Sequence, residues 1–172
     1  MPICTQMRQQ RVQVFGGSIA MFRGKTTLNM DEKGRMAVPS RYRADLNSHA
    51  GGCLVMTISL KHPCLAVYPF PEWQRIENQL KGMPAFDDDA QTIRHLLIGH
   101  AVECELDGSG RILIAPALRE FAGLKRRITM IGQASKFELW DDDAWAARQS
   151  EALSNIRNVL KDPSPAMQEL VL

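Results

Sequence analysis

The sequence lacks any apolar run that approaches the roughly 20 residues needed to cross a bilayer. Its first twenty residues contain no continuous apolar stretch of the kind that a secretory signal requires. Both absences predict a cytoplasmic protein with no membrane partner. With 45% hydrophobic and 23% charged residues in a chain of 172, the composition is typical of a soluble globular protein that can bury a core.

The usual sequence marks of catalysis and of metal binding are also missing. The "GSG" at 108–110 lies in a turn and is not a phosphate-binding G-x-G-x-x-G before a helix. The four histidines have no serine or cysteine partner at a suggestive spacing. Two looser pairs, His62 with Cys64 and His100 with Cys104, lack the ligand spacing of a zinc finger. We therefore predict no enzyme activity, no cofactor and no metal site.

Two aspartate triplets, at 87–89 and 141–143, are the remaining candidates for acid–base or metal chemistry. Each directly precedes an amphipathic helical pattern, where carboxylates accept hydrogen bonds from the free N–H groups of the first turn. This position favours helix capping over catalysis.

A charged turn occurs twice in the chain. "MDEKGRMAVPSRYR" at 30–43 and "LDGSGRILIAPALR" at 106–119 repeat an aspartate, a glycine and two arginines at a constant offset of 76. Alternating apolar residues predict a β-hairpin over 26–38, with Gly34 supplying the positive φ that such a turn often needs. A repeated supersecondary unit predicts two copies that are related by a pseudo-twofold axis and share one core.

The order of patterns is the same in both halves and reads β-turn-β-α-β-turn-β-α, which predicts an α+β fold. Ser40 is placed to cap the first helix, and Pro71 to occupy the first turn of the second. In the acid-led helix of the middle segment, Ile93, Leu96 and Leu97 form the expected buried face.

Basic residues concentrate around the first turn, although the net charge of the chain is only +2. A two-stranded ribbon fits the major groove of DNA, where an arginine can bind guanine O6 and N7 with two hydrogen bonds. Arg35 is then the candidate base reader, and the other basic residues are candidate phosphate contacts: Arg23, Lys25, Lys33, Arg41 and Arg43, with Arg111 and Arg119 in the second copy. In the alternative interpretation, which stays open, Arg35 only pairs with Asp31 to hold the hairpin.

The stretches "DEKGRMAVPSRYR" and "DGSGRILIAPALR" resemble the SpoVT-AbrB swapped-hairpin DNA-binding superfamily. Together with "MFRGKTT", "HPCLAVYPFPEW", "LLIGHAVECELD" and "KFELWDDDAW", they more closely resemble the bacterial MraZ family across residues 21–145. The resemblance implies swapped-hairpin β-barrel units with short flanking helices and a DNA-contacting Lys33, Gly34 and Arg35. Ser109 replaces the lysine in the second copy, and Pro116 is one place later than Pro39, which are departures from the first copy.

The resemblance also implies a function. It indicates a nucleoid-associated repressor that assembles into rings and binds G-rich direct repeats upstream of its own gene, in the division and cell-wall gene cluster. An antitoxin-like or scaffold protein-interaction module, using the C-terminal tail, is the alternative. The expected divisions begin with an N-terminal extension at 1–20 that is non-native or disordered. A SpoVT-AbrB repeat at 21–82, a connecting helix at 83–100, a second SpoVT-AbrB repeat at 101–157 and a flexible tail at 158–172 follow it.

Overall fold

The computed structural model describes residues 21–161 and Met167. The extension expected at 1–20 lies outside the described residues, as does all of the expected tail except 158–161 and Met167. Of the described residues, 21–141 form one compact unit, and the last helix, beginning at Asp142, belongs to a second.

This part of the chain contains eight strands and five helices. The first half comprises β1 (Lys25–Asn29), β2 (Arg35–Ala37), α1 (Ser40–Ala50), β3 (Cys53–Ile58), β4 (Leu65–Pro69) and α2 (Phe70–Lys81). After α3 (Asp88–Leu97), the second half comprises β5 (Val102–Glu105), β6 (Arg111–Leu113), α4 (Pro116–Phe121), β7 (Arg127–Gln133), β8 (Lys136–Asp141) and α5 (Asp142–Lys161). The α+β class and the repeated element order are confirmed.

The two copies exchange strands. The six-stranded sheet has the order β1-β7-β8-β4-β3-β5, which reads the same backwards when each strand is replaced by its equivalent in the other copy. All of the pairings are antiparallel. The pseudo-twofold axis passes through the cross-strand pair Ala66 and Glu138 and through the pair Met36 and Ile112. The copies are therefore interlocked halves of one fold.

The strands on either side of each charged turn diverge, which corrects the β-hairpin expected over 26–38. β1 pairs with β7 in the large sheet, whereas β2 pairs with β6 in a separate two-stranded ribbon. Only the isolated bridge between Met30 and Met36 joins the two strands directly. The ribbon and the sheet are separate, and the two edge strands of the sheet, β1 and β5, do not pair with each other. The strands of the described residues therefore form an open sheet and a ribbon, and not the closed barrel that the resemblance implies.

One hydrophobic core serves both copies, as predicted. Met36 and Val38 of the first copy and Ile112 and Ile114 of the second are at most 1% exposed within it. An aromatic cluster of Phe22, Tyr42 and Phe137 adds to this core, with ring centroids 4.2 to 5.8 Å apart. Neither copy could bury these side chains alone.

The helix starts follow local signals, with one correction. Pro39 and not Ser40 is the N-cap of α1, and no side chain caps this helix, because Ser40 already lies inside it. Pro71 lies in the first turn of α2, as predicted. Asp87 caps α3, since its Oδ1 accepts a hydrogen bond of 2.7 Å from the amide of Ala90. This cap confirms the interpretation of the first aspartate triplet.

The apolar face of α3 is less buried than expected. The Leu97 carbonyl accepts a hydrogen bond of 2.7 Å from Thr57 Oγ1, so the helix contacts β3 through its last turn. Ile93 and Leu97 are half-buried, but Leu96 is 38% exposed because it lies beyond this narrow contact.

Candidate nucleic-acid interface

The first charged turn is built around the carboxylate of Asp31. Its Oδ1 accepts hydrogen bonds from the amides of Lys33 and Arg35 at 3.0 and 2.9 Å, and its Oδ2 accepts from Arg35 Nε at 2.8 Å. These bonds, with that from the Arg35 amide the largest cause, lower the pKa of Asp31 below its usual 3.8. The ion pair uses Nε of Arg35, so the terminal NH2 groups of the guanidinium can face a further acceptor.

The second charged turn repeats this geometry. Asp107 Oδ1 accepts from the amides of Ser109 and Arg111, both at 2.9 Å, and Oδ2 accepts from Arg111 Nε at 2.8 Å. The pKa of Asp107 is lowered for the same reasons, with the Arg111 amide as the largest cause. The pairing of Arg35 with Asp31 that the sequence suggested is therefore present, and Arg111 and Asp107 repeat it.

The ribbon of β2 and β6 brings the two arginines onto one face. Met36 and Ile112 face inwards, and the residues next to them in each strand therefore face outwards. Arg35 pairs with Leu113, and Arg111 pairs with Ala37, so the two arginines are diagonal neighbours, which in antiparallel pairs lie about 7–8 Å apart. Between them lie Ala37 and Leu113, the latter 54% exposed.

This outer face has the chemistry needed to recognise base edges. Each guanidinium is oriented by a carboxylate, so little conformational freedom remains to be lost when it binds. Two such groups can bind guanine O6 and N7, and the apolar side chains between them can contact a thymine methyl group.

Two of the candidate phosphate contacts, Arg43 and Arg119, lie beneath the turns. Arg43 Nε donates a hydrogen bond of 2.7 Å to the carbonyl of Val38, and its side chain packs against Gly110 of the other copy. Arg119 packs against Gly34 in the same way, and its Nε is buried without a hydrogen-bond partner in the structure. Both side chains are half-buried. This is the position of a support for the charged turns.

The other basic residues of the first copy are exposed. Lys33 lies in the first turn, whereas Arg23 and Lys25 lie before and at the start of β1. Arg41 Nη2 donates a hydrogen bond of 2.7 Å to Thr26 Oγ1, and its guanidinium lies 4.7 Å from the centroid of the Tyr42 ring. Their roles as phosphate contacts remain predictions.

Three basic residues that sequence reasoning missed lie beside the first turn. The Met30 amide donates a hydrogen bond of 2.8 Å to the Arg126 carbonyl, and Arg127 pairs with Asn29, which places the run Lys125–Arg127 next to this turn. An open pocket of about 430 Å³ lies there; its lining residues are Met30, Asp31, Glu32, Arg119, Leu124, Lys125 and Arg126. The run "KRR" is visible in the sequence, but its position depends on the long-range pairing of β1 with β7.

The structure adds nothing in favour of a metal or a membrane site. Among residues 21–161, no three histidine, cysteine, aspartate or glutamate side chains are placed to hold a metal ion. The helices in this same range include none that is long and apolar enough to span a bilayer.

Asp141, the first residue of the second aspartate triplet, is buried at the end of β8, where its Oδ2 accepts a hydrogen bond of 3.2 Å from the Lys125 amide.

Fold and site together define a two-repeat α+β protein in which two carboxylate-anchored arginine turns share one ribbon. Residues 21–96 and 97–161 match the family model described as "MraZ protein, putative antitoxin-like". The chain belongs to the MraZ family, as its resemblance indicated.

The chain is also similar to named members of this family along most of its length. It is 44% identical over 152 residues to a protein of Escherichia fergusonii, and 45% identical over 152 residues to proteins of Klebsiella pneumoniae and Escherichia coli K12. Each match covers 88% of this chain and 100% of the relative. All three relatives are named "Transcriptional regulator MraZ".

Proposed function

We propose that this chain is a sequence-specific DNA-binding transcriptional regulator, and that it acts as a repressor. Family membership and the names of the relatives support the regulatory role. The observation that carries DNA binding is the Arg35 side chain, which Asp31 holds on the outer face of the β2–β6 ribbon. From the resemblance, we propose that its sites are G-rich direct repeats upstream of its own gene, in the division and cell-wall gene cluster.

In this mechanism, the ribbon enters the major groove with its outer face towards the bases. The terminal NH2 groups of Arg35 bind O6 and N7 of a guanine, while Lys33, at the turn, neutralises a neighbouring phosphate. Gly34 keeps the turn narrow between them. Arg111 makes an equivalent base contact, but Ser109 cannot neutralise a phosphate. The first turn therefore provides more of the binding free energy.

One ribbon offers few base contacts, so useful affinity requires several linked ribbons. Copies joined in one assembly bind successive sites at a high effective concentration. This requirement, together with the resemblance, supports a ring homo-oligomer that acts at the nucleoid in the cytoplasm. The proposal includes no catalytic step, cofactor or membrane contact.

Fluorescence anisotropy on DNA from upstream of the gene, beside a scrambled duplex, tests this proposal over a salt series. Arg35→Ala should weaken specific binding by about 5- to 150-fold per engaged site, since a bidentate contact is worth about 1–3 kcal/mol. The matched control is Arg75→Ala, which removes an exposed arginine that pairs with Glu72 on α2. Wild-type affinity in Arg35→Ala, or equal affinity for both duplexes, would contradict the proposal.

A second candidate function is an antitoxin-like or scaffold module that holds a protein partner. The description of the matching family supports it, and the segment 158–172 would be the binding tail. Deletion of 158–172 discriminates the two functions, because a DNA-binding repressor should keep its affinity for DNA. An antitoxin-like module should instead lose its partner in a pull-down from the native host.

A further inference from the structure

We propose that Arg126, together with Lys125, forms a site for a phosphate of the DNA backbone beside the first charged turn. This inference rests on the proposed function and adds a contact from the second copy to the charged turn of the first. It also predicts that the two ends of the ribbon bind DNA unequally.

The position of Arg126 is set by the backbone. Its carbonyl accepts the amide of Met30, the residue just before Asp31, at 2.8 Å. The side chain is exposed and lines the open pocket beside the turn. The Arg126 side chain therefore lies next to the start of the turn that carries Lys33 and Arg35.

The charge of the pocket suits an anion. Arg119, Lys125 and Arg126 line it, against the carboxylates of Asp31 and Glu32. Asp31 is already neutralised by its ion pair with Arg35, so Arg119 and Arg126 alone outweigh the one remaining carboxylate, that of Glu32. When the ribbon lies in the major groove, the phosphates that border the groove are the anions nearest to this flank.

The equivalent position in the other copy has no such charge. There the Leu106 amide donates a hydrogen bond of 3.0 Å to the Gly52 carbonyl, which is the counterpart of the bond from Met30 to Arg126. Gly51 and Gly52 therefore stand where Lys125 and Arg126 stand beside the first turn.

Ser109 likewise stands where the first turn has Lys33. The backbone has pseudo-twofold symmetry, but the two equivalent ends of the ribbon therefore differ in charge. A phosphate contact at only one end fixes which way round each chain lies on its DNA site, which the backbone symmetry alone would leave undecided.

The salt dependence of binding tests this inference. Arg126→Ala should reduce the slope of log affinity against log salt by about 0.9 for each engaged chain, because one fewer counterion is released. The loss should be the same on the upstream and the scrambled duplex, since a phosphate contact carries no sequence information. Arg126→Lys keeps the charge and should keep the wild-type slope.

The test needs a control variant and a check of stability. Lys61→Ala, an exposed cation in the loop between β3 and β4, should leave the slope unchanged, and urea unfolding should show that Arg126→Ala is as stable as wild type. A wild-type slope in Arg126→Ala, while Arg35→Ala loses specificity, would overturn the phosphate site and leave the proposed function intact. A wild-type protein without preference for its upstream DNA would overturn both.

Discussion

Arg119 of the second copy lies against Gly34 of the first, and Arg43 of the first lies against Gly110 of the second. A Cβ placed on Gly34 would stand 2.9 Å from Arg119 Cζ and 3.0 Å from the carbonyl oxygen of Ile114. Each charged turn is therefore supported by an arginine of the opposite copy. The geometry of each charged turn therefore depends on side chains of both repeats.

Gly34→Ala should destabilise the protein by about 1–3 kcal/mol. Gly34 has a φ of +85°, which a residue with a Cβ adopts only at a cost, and the added methyl group would displace Arg119. The free energy of unfolding from urea titration measures this effect. The matched control is Gly108→Ala, because a Cβ at Gly108 would meet no atom within 4 Å. Equal stability of the two variants would contradict the supporting role of Arg119.

Arg43→Ala should lower stability and leave the salt slope of DNA binding unchanged. The substitution removes a buried stem and leaves the Val38 carbonyl without its donor, at a cost of about 1–3 kcal/mol. Lys61→Ala, which removes an exposed cation from the loop between β3 and β4, should cost less than about 0.5 kcal/mol. A fully stable Arg43→Ala with a reduced salt slope would instead make Arg43 a phosphate contact.

Acid should weaken both charged turns. Because folding lowers the pKa of Asp31 and of Asp107 below 3.8, the unfolded chain binds more protons than the native state between the two values. The stabilisation is complete above pH 3.8 and is lost as the pH falls through the lower, native values.

Carbon-detected NMR titration of the side-chain carboxyl groups measures these values directly. Asp31→Asn should flatten the acid limb of the stability curve, and the double variant with Asp107→Asn should flatten it further. Titration of either carboxyl at or above 3.8 would contradict the hydrogen-bonded turn.

Two buried thiols should be unreactive in the native protein. Burial raises the pKa of Cys64 to about 12 and that of Cys104 to about 12, with the nearby charges of Glu138 and Glu105 as secondary causes. Neither forms a thiolate near neutral pH, so iodoacetamide should label them only after unfolding in urea. Peptide mapping by mass spectrometry identifies the labelled positions. Labelling of Cys104 in the native state would mean that β5 opens at the edge of the sheet.

The local features of this fold could be predicted from the sequence because their signals are local. Each turn is marked in the sequence by an aspartate, a glycine and an arginine within five positions. Asp87 likewise caps α3 by accepting a hydrogen bond from the amide of Ala90, three residues later. The offset of 76 between Arg35 and Arg111 likewise revealed the two equivalent copies.

The long-range features could not be predicted in the same way. Nothing near Lys25 indicates that β1 pairs with β7 and not with β2, since alternating apolar residues fit either partner. The charge of Arg43 suggested an exposed contact, whereas its long apolar stem lies under a turn. Arg126 was missed because its place beside Asp31 exists only once β1 and β7 have paired.

The exchange of strands between the copies has a consequence for synthesis on the ribosome. β1 pairs with β7 in a register that joins Lys25 to Ile131, so its partner emerges roughly a hundred residues later. At about 5–20 residues per second, the first strand of a nascent chain waits on the order of 5–20 s with an unpaired edge. During that interval, β7 of a neighbouring nascent chain that has not yet paired with its own β1 offers the same hydrogen bonds. Successive ribosomes on one message therefore favour pairing between chains, and the speed of translation influences how the protein assembles.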